Sequence, residues 1–392
     1  IIARMITGGA DENTLYTMQG LDPELYSIDL ITGADCDENF LQRIQKDKIN
    51  VIRLPGLKWK LNFFRDPLIL LQLFMLLRQK HYAIVHTHTT KAGILGRLAA
   101  KMAGIPIIIH GLHGSTFQAF NHHYLNKLLF YFEVITSHFT DAYISVSSVL
   151  SQSYIKRGIG NKENHYTVHS GMKLEKFYQV RQMNDLLMHR QNLGISADDI
   201  VIGNVGRLEK RKGHRYLIDA FGRIVRQRRD FSIKLLIVGN GNQRSSLERY
   251  VNQLGLQSQV IFTGYRRDVE IMMAIMDIFV LTSFREGLPR VLVQASAVGL
   301  PLIAFNIDGV SEIIRDQKSG FLVQPGDIET LINKMLIYLE NNELRQLHGK
   351  NGRQWVRGRW SIEDMVKKTE FIYQLFIKQK LSSKKMGINE ES

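Results

Sequence analysis

One cysteine in 392 residues, Cys36, leaves no intramolecular disulfide to hold the chain together and suits a reducing compartment. A lone cysteine with no chemistry around it reads as a small buried residue. Long apolar runs are also missing. The longest, PLILLQLFMLL (67–77), falls well short of the roughly 20 residues a membrane-spanning helix needs. The opening IIARMITGGADENT enters a glycine turn at once, so no secretory signal is expected; starting without Met, it reads as the end of a strand that lacks a few residues. Acidic residues are few beside basic ones, 37 against 51, and the resulting net charge of +14 calls for an acidic partner: a nucleotide, a nucleic acid or an anionic membrane. A hydrophobic content of 44% with 22% charged residues excludes general disorder, and the length is enough for two domains that each bury a core.

What is present is a repeated strand and helix pattern. IIARMI (1–6), YSIDLITG (26–33), INVIRLP (49–55), YAIVHTHTT (82–90), PIIIHGLHGSTF (106–117), DAYISVS (141–147) and NHYTVHSGM (164–172) read as strands. Helical patterns separate them, such as KAGILGRLAAKMAG (91–104), closed by Gly104 and Pro106. That alternation predicts an α/β fold with a parallel, doubly wound sheet. The expected organisation is a Rossmann-like domain over 1–178, a second over 179–358 with a linker inside 181–199, a final helix over 359–380, and a mobile tail over 381–392. Ser361 with Asp364 three residues on reads as the N-cap of the last helix.

The second half carries the motifs. IFVLTS (278–283) is a buried strand pattern, EGLP breaks it, and RVLVQASAVG resumes at helical period, which delivers Glu286 and the free N–H groups around Arg290 to a strand's carboxyl end. Ligands of open α/β sheets bind there. Taken alone, EGLPR is equally a plain strand-to-helix turn. Its neighbours add weight: IVIGNVGRLEKRKGHRYLIDAF (200–221) runs from a strand into a turn with Arg207 and Lys212, and KLLIVGNGNQRSSLERY (234–250) is strand, Gly-x-Gly turn and helix. Glycines, cations and a carboxylate at successive strand ends are the mixture a nucleotide diphosphate needs.

The ordered series GRLEKRKG, VGNGNQRSSLE, FTGYRRDV, SFREGLPRVLVQA and IDGVSEII resembles the donor domain of retaining glycosyltransferases of family 4, and is similar to bacterial capsule, lipopolysaccharide and exopolysaccharide glycosyltransferases. The resemblance implies a GT-B fold, two facing Rossmann-like domains with a cleft between them. It implies that Arg207 and Lys212 hold the pyrophosphate of a nucleotide sugar and that Glu286 contacts hydroxyls of the transferred sugar. Gly239, Gly241, Tyr265, Leu288, Arg290 and Val291 would line the donor site. Gly8 and Gly9 would form the family's glycine loop facing the donor phosphate, and His113, in the family's His-Gly motif, would touch the donor sugar. Where the family has a second Glu after seven residues, to grip the ribose, this chain has Gln294, which can accept one hydrogen bond and donate another. The implied reaction is hexosyl transfer from a nucleotide diphosphate sugar, with a UDP-sugar expected, to a lipid-linked or cell-surface glycan, with retention and with no cofactor and no metal, cations serving in the metal's place.

Other features are weighed beside this reading. His86, His88, His110 and His113 lie at strand ends, but metal sites usually add a carboxylate or thiolate and none is placed nearby. Asp11 and Glu12 open a helix, where carboxylates sit for dipole reasons alone. The segment 57–65 sets Lys58, Lys60 and Arg65 among Trp59, Phe63 and Phe64, which suits an anionic membrane interface and places the protein on the cytoplasmic, inner face of a membrane. The same mixture could bind single-stranded nucleic acid, yet no RNA-binding motif is present, so none is expected. Two other functions share the pattern: a nucleotide-sugar epimerase of the same fold, and a non-catalytic membrane-bound nucleotide-sugar binding protein.

Overall fold

Short β-branched runs alternating with helices fold as parallel sheets in two units, Ile1–Gly171 with Trp360–Ser392, and Met172–Arg359. The computed structural model describes residues 1–389 except Thr7, Lys48, Lys60, Phe63 and 116–122; for residues 39, 40, 45, 46, 123 and 381–389 it describes the backbone alone. The first division thus falls after Gly171, against the expected 178, and the chain re-enters the first unit at Trp360.

The first unit runs α1 (Gly9–Gly20), β1 (Asp29–Thr32), α2 (Glu38–Lys46), β2 (Asn50–Arg53), α3 (Asp66–Lys80), β3 (Ile84–His88), α4 (Thr90–Met102), β4 (Ile107–Leu112), α5 (His123–Ser137), β5 (Ala142–Ser145), α6 (Ser148–Ile155) and β6 (His165–Thr167). The sheets β1-β2 and β3-β4-β5-β6 are parallel throughout. The opening residues run between them, for Ile2 N–H donates to Ile31 O at 3.0 Å and His88 N–H donates to Ile1 O at 2.8 Å. The turn expected over 7–11 is shorter than the sequence implied, because α1 already begins at Gly9.

Helix α4 is fixed on both sides by buried charge. Lys91 Nζ meets Asp66 of α3 at 2.5 Å, and Arg97 donates to Glu133 of α5 at 2.7 Å with both side chains fully buried. Breaking a pair of this kind costs about 3–5 kcal/mol, since the remaining charge is left in low dielectric. Flanking α4, α3 and α5 each keep an exposed apolar stripe: Leu68, Leu71 and Met75 on α3, and Leu128, Tyr131 and Ile135 on α5. These spacings of three and four trace one face of each helix.

The second unit runs α7 (Glu175–Gln179), α8 (Leu186–Gln191), β7 (Ile200–Val205), α9 (His214–Gln227), β8 (Ile233–Val238), α10 (Arg244–Gln253), β9 (Val260–Gly264), α11 (Val269–Ala274), β10 (Ile278–Leu281), α12 (Arg290–Val298), β11 (Leu302–Phe305), α13 (Val310–Ile313), β12 (Gly320–Val323), α14 (Ile328–Glu340) and α15 (Asn342–Val356). The strands order as β12-β11-β10-β7-β8-β9, all parallel and largely buried, which is why they read as continuous apolar runs. The last helix, α16 (Ile362–Asn389), begins where Ser361 Oγ accepts Asp364 N–H at 3.0 Å. Its Met365, Val366, Ile372, Tyr373 and Phe376 pack with Ile107, Ile109, Ala142 and Ile144 in the core of the first unit. Residues 381–389, expected as a mobile tail, continue this helix. Among the described residues no helix is long and apolar enough to cross a membrane.

Candidate functional site

The strand order of the second unit reverses between β7 and β10: β8 and β9 build outward on one side, β11 and β12 on the other. A doubly wound sheet opens a crevice at that switch point, above the carboxyl ends of the two strands. The loop after β7 carries Arg207 and Lys212, and the loop after β10 carries Glu286. Across the switch point Lys212 Nζ donates to Glu286 Oε1 at 2.5 Å, with the two side chains only 13% and 11% exposed. Burial by itself would raise the Glu286 carboxyl, but the charge of Lys212 and its hydrogen bond outweigh burial and hold the group below the usual carboxylate range. At neutral pH the site thus holds an ionised carboxylate and a facing cation.

Several residues outside the expected set build these loops. Asp308 Oδ2 accepts Glu286 N–H at 2.7 Å, bringing the IDG turn against the EGLP turn. Arg211 reaches Glu209 at 2.8 Å, and its backbone carbonyl accepts Phe284 N–H at 2.9 Å. Glu209 also meets Arg207 at 3.4 Å, leaving the Arg207 side chain about half exposed. Asp308 and Arg211 lie within motifs quoted from the sequence, yet nothing in their spacing marks them as braces, because the contacts cross 22 and 73 positions of chain. His214, at the start of α9, is buried with neither ring nitrogen partnered among the described residues, and burial followed by the Lys212 charge holds it neutral, at about 4.

The β8 loop is locked to its neighbours by close backbone approach. Gly239 sits at φ +140°, its N–H donates to Gly264 O at 2.8 Å, and a Cβ there would lie 1.9 Å from Gly206 O. Gly241 packs on the Leu208 backbone in the same way. Tyr265, just past β9, is 66% exposed. Leu288 is buried, Arg290 and Val291 form the first turn of α12, and Gln294 lies half-buried one turn on. Pro289 caps α12 without a side-chain bond, so the first-turn N–H groups face the same strand end as Glu286.

The remaining expected residues belong to the first unit. Gly8 and Gly9 lie at the start of α1, where Asp11 is buried and Asn13 donates to Ser170 at 2.9 Å. His113 follows β4, its Nε2 lying 2.9 Å from His88 Nδ1. His86 meets Tyr373 and His110 meets Thr87, so each ring has a protein partner. Among the described residues no three His, Cys, Asp or Glu converge to hold a metal ion. In the 57–65 segment Trp59 is not free to insert into lipid as expected: it is half-buried, with the Arg4 guanidinium 4.3 Å from its ring. Lys58, Phe64 and Arg65 are exposed, while Lys60 and Phe63 lie outside the described residues.

Comparison with known proteins agrees with this architecture. The model of Glycosyltransferase Family 4 matches residues 7–176 and that of Glycosyl transferases group 1 matches residues 188–355. The chain is 28% identical over 370 residues to the UDP-Gal:alpha-D-GlcNAc-diphosphoundecaprenol alpha-1,3-galactosyltransferase of Escherichia coli, covering 94% of each chain. It is also 28% identical to the capsular polysaccharide biosynthesis glycosyltransferase CapM of Staphylococcus aureus, over 82% of this chain and 84% of that one. Among solved structures, HepE of Anabaena in complex with UDP superposes with a TM-score of 0.78 at 21% identity, over 95% of this chain and 98% of that one. WaaG, a glycosyltransferase involved in lipopolysaccharide biosynthesis, gives 0.75 at 17%, over 95% and 99%. Two Rossmann-like units of parallel sheet, the Lys212–Glu286 pair at a switch point, and two family models that together span most of the sequence place this chain among the family 4 glycosyltransferases of GT-B fold.

Proposed function

We propose that this glycosyltransferase moves a hexosyl group from a UDP-sugar to a lipid-linked saccharide, with retention at the anomeric carbon, on the inner face of a cell membrane. The observation that carries the reading is the ionised Glu286 held by Lys212 at the switch point, beside the amino terminus of α12. Departure of a nucleoside diphosphate builds negative charge, and Lys212, Arg207 and the α12 N–H groups are the positive groups available to meet it, in the place a divalent metal would take. Glu286, its charge already committed to Lys212, is suited to orienting sugar hydroxyls rather than to attacking the anomeric carbon. The departing phosphate oxygen then takes the acceptor's proton, the acceptor oxygen bonding to the face from which the phosphate leaves. Gln294 supplies one acceptor and one donor for the ribose hydroxyls. A UDP donor is supported by the relative named for UDP-Gal and by HepE, solved with UDP-glucose; a lipid-linked acceptor is supported by that relative's diphosphoundecaprenol substrate. The test is incubation with UDP-hexoses and a short-chain polyprenyl diphosphate GlcNAc, with the product anomer read by NMR. Retention gives an α-linked product from an α-linked donor. A β-linked product would sink the retaining mechanism, and sugar release without transfer would sink the acceptor.

The exposed stripes on α3 and α5 support the membrane part of the reading. They adjoin exposed cations, Lys58, Arg65, Arg78, Lys80 and Lys127, each contributing about 1 kcal/mol near acidic lipid, and each large apolar side chain that inserts adds roughly 1.5–3 kcal/mol. The wild type is expected to sediment with vesicles rich in phosphatidylglycerol, and a Leu71→Glu/Met75→Glu/Tyr131→Glu/Ile135→Glu variant to remain in the supernatant. Equal sedimentation of the two would remove these helices from membrane docking.

A further inference from the structure

The second unit holds another cavity, at the end of its sheet away from the switch point. All its strands run the same way, so Lys212 and Glu286 stand beyond the carboxyl ends of β7 and β10, whereas the turn 315–319 enters β12 at its amino end. A groove of about 540 Å³ opens there between that turn and α15.

Its walls are fixed by local hydrogen bonds. Ser319 Oγ accepts Arg315 N–H at 2.9 Å, Gln317 N–H donates to Gly320 O at 2.8 Å, and Asn351 Nδ2 on α15 donates to Lys318 O at 2.8 Å, which ties the turn to the helix. Gln317 sits at φ +58°, uncommon for a residue with a side chain. His348 is buried at the groove, its Nδ1 2.7 Å from the Tyr338 hydroxyl. Trp355 is pinned by its ring N–H, which donates to Glu312 O at 3.1 Å.

Two guanidiniums lie over that indole, Arg359 at 3.8 Å and Arg315 at 4.9 Å from the ring centroid. The ring holds each in place and leaves its N–H groups free for a ligand. Among the described residues neither arginine, nor Lys318 beside them, meets a carboxylate. Asp316, the acid of the turn, accepts Leu322 N–H at 2.9 Å and does not line the groove. Like charges gathered without a counter-charge repel one another, and an oxyanion placed among them relieves that repulsion and takes paired N–H donors.

A bare anion does not account for the rest of the wall. Gln317, Asn351 and Gln354 each bring an amide oxygen as well as N–H donors, and those oxygens call for hydroxyl groups. The volume is in the range of sites for molecules well above the size of phosphate. Leu347 is the only exposed large apolar side chain among the lining residues, too little to anchor the groove in lipid.

We propose that this groove is a second binding site, separate from the donor site, for an acidic saccharide whose carboxylate or phosphate groups lie among Arg315, Arg359 and Lys318 and whose hydroxyls meet the amides. It holds whichever donor and acceptor the enzyme uses.

The experiment is titration calorimetry with tetragalacturonate and with glucose 1,6-bisphosphate, on the wild type and on Arg315→Ala, Arg359→Ala, Gln354→Leu and the double variant Arg315→Ala/Arg359→Ala. The three side chains are exposed, so thermal melts should match the wild type. The wild type is expected to bind at least one probe, each arginine variant to bind it about 10-fold to 100-fold more weakly, and Gln354→Leu roughly 3-fold to 10-fold more weakly. Fully methyl-esterified tetragalacturonate, which keeps its hydroxyls and lacks the charge, should bind at least about 10-fold more weakly than the acid. Failure of both probes to bind the wild type, or undiminished binding by the double variant, would overturn the site. Inorganic phosphate binding as tightly as the saccharides would overturn the saccharide and leave a simple anion site. Sedimentation with phosphatidylglycerol vesicles that the double variant loses, with neither probe bound, would replace the saccharide by a membrane.

Discussion

Lys212→Ala is expected to lower kcat/KM by at least about 10³-fold, a loss of roughly 4 kcal/mol in transition-state stabilisation, and to destabilise the second unit by about 3–5 kcal/mol because Glu286 is left as an uncompensated buried charge. The two effects have different origins, and a paired variant separates them. In Lys212→Met/Glu286→Gln no buried charge remains, so the melting temperature should return toward wild type while turnover stays lost. Glu286→Gln alone should reduce kcat more than donor affinity, since the amide keeps the shape of the carboxylate and loses the geometry it imposes on the sugar. Arg207→Ala is the contrasting case: its side chain is about half exposed and only loosely tied to Glu209. Its melt should be unchanged, and donor KM should rise about 10-fold to 100-fold, the range of a charge-assisted hydrogen bond to phosphate. Wild-type turnover by the Lys212→Met/Glu286→Gln variant would move the active site elsewhere.

Acidification is expected to unfold the first unit cooperatively between pH 6.5 and about 4. Burial holds His113 and His165 at about 4 and lowers His86, His88 and His110 well below the ordinary imidazole value. Each such histidine has a folded-state value below its unfolded one, so above 6.5 neither state binds the proton. As pH falls through the window the unfolded chain takes up protons that the folded chain refuses, and stability is lost. A group lowered from 6.5 to 4 contributes on the order of 3 kcal/mol to this loss, and a few such groups rival the 5–15 kcal/mol total of a typical domain. The second unit has fewer, His214 at about 4 and His348 lowered less, so its transition should come at lower pH. Near-ultraviolet circular dichroism and tryptophan fluorescence across the titration decide the matter. A melting temperature that stays flat from pH 7 to 4.5 would mean the histidines are solvated and the first unit is looser than its structure.

The layout of strands and helices is legible from local pattern alone. Apolar runs of four to six residues separated by helical periods specify a parallel sheet because both faces of each strand must be covered, and the strands at 200–205, 233–238 and 278–281 fall where those runs are. Ser361 capped its helix as its spacing implied, since a cap is a contact over three residues and is complete within the local sequence. The motif series also marked the two strand ends at which Lys212 and Glu286 meet.

Tertiary structure decided what faces what. Lys212 and Glu286 read from the sequence as separate groups, one for phosphate and one for sugar; only the strand order, with β7 beside β10, brings them to 2.5 Å across 74 positions. Four histidines at strand ends look alike in sequence, and the β3–β4 register with the missing Cβ at Gly111 is what joins His88 to His113. Trp59 reads from the sequence as available to lipid, and the Arg4 guanidinium, 55 positions away in sequence, lies over its ring. The stripe on α5 is not legible in the sequence, because HYLNKLLFYFEVITS is apolar around most of its circumference and which side stays uncovered depends on where α4 packs. Periodicity fixes contacts over a few residues, whereas contacts over tens of residues depend on the order in which strands add to a sheet, and no local pattern encodes that order.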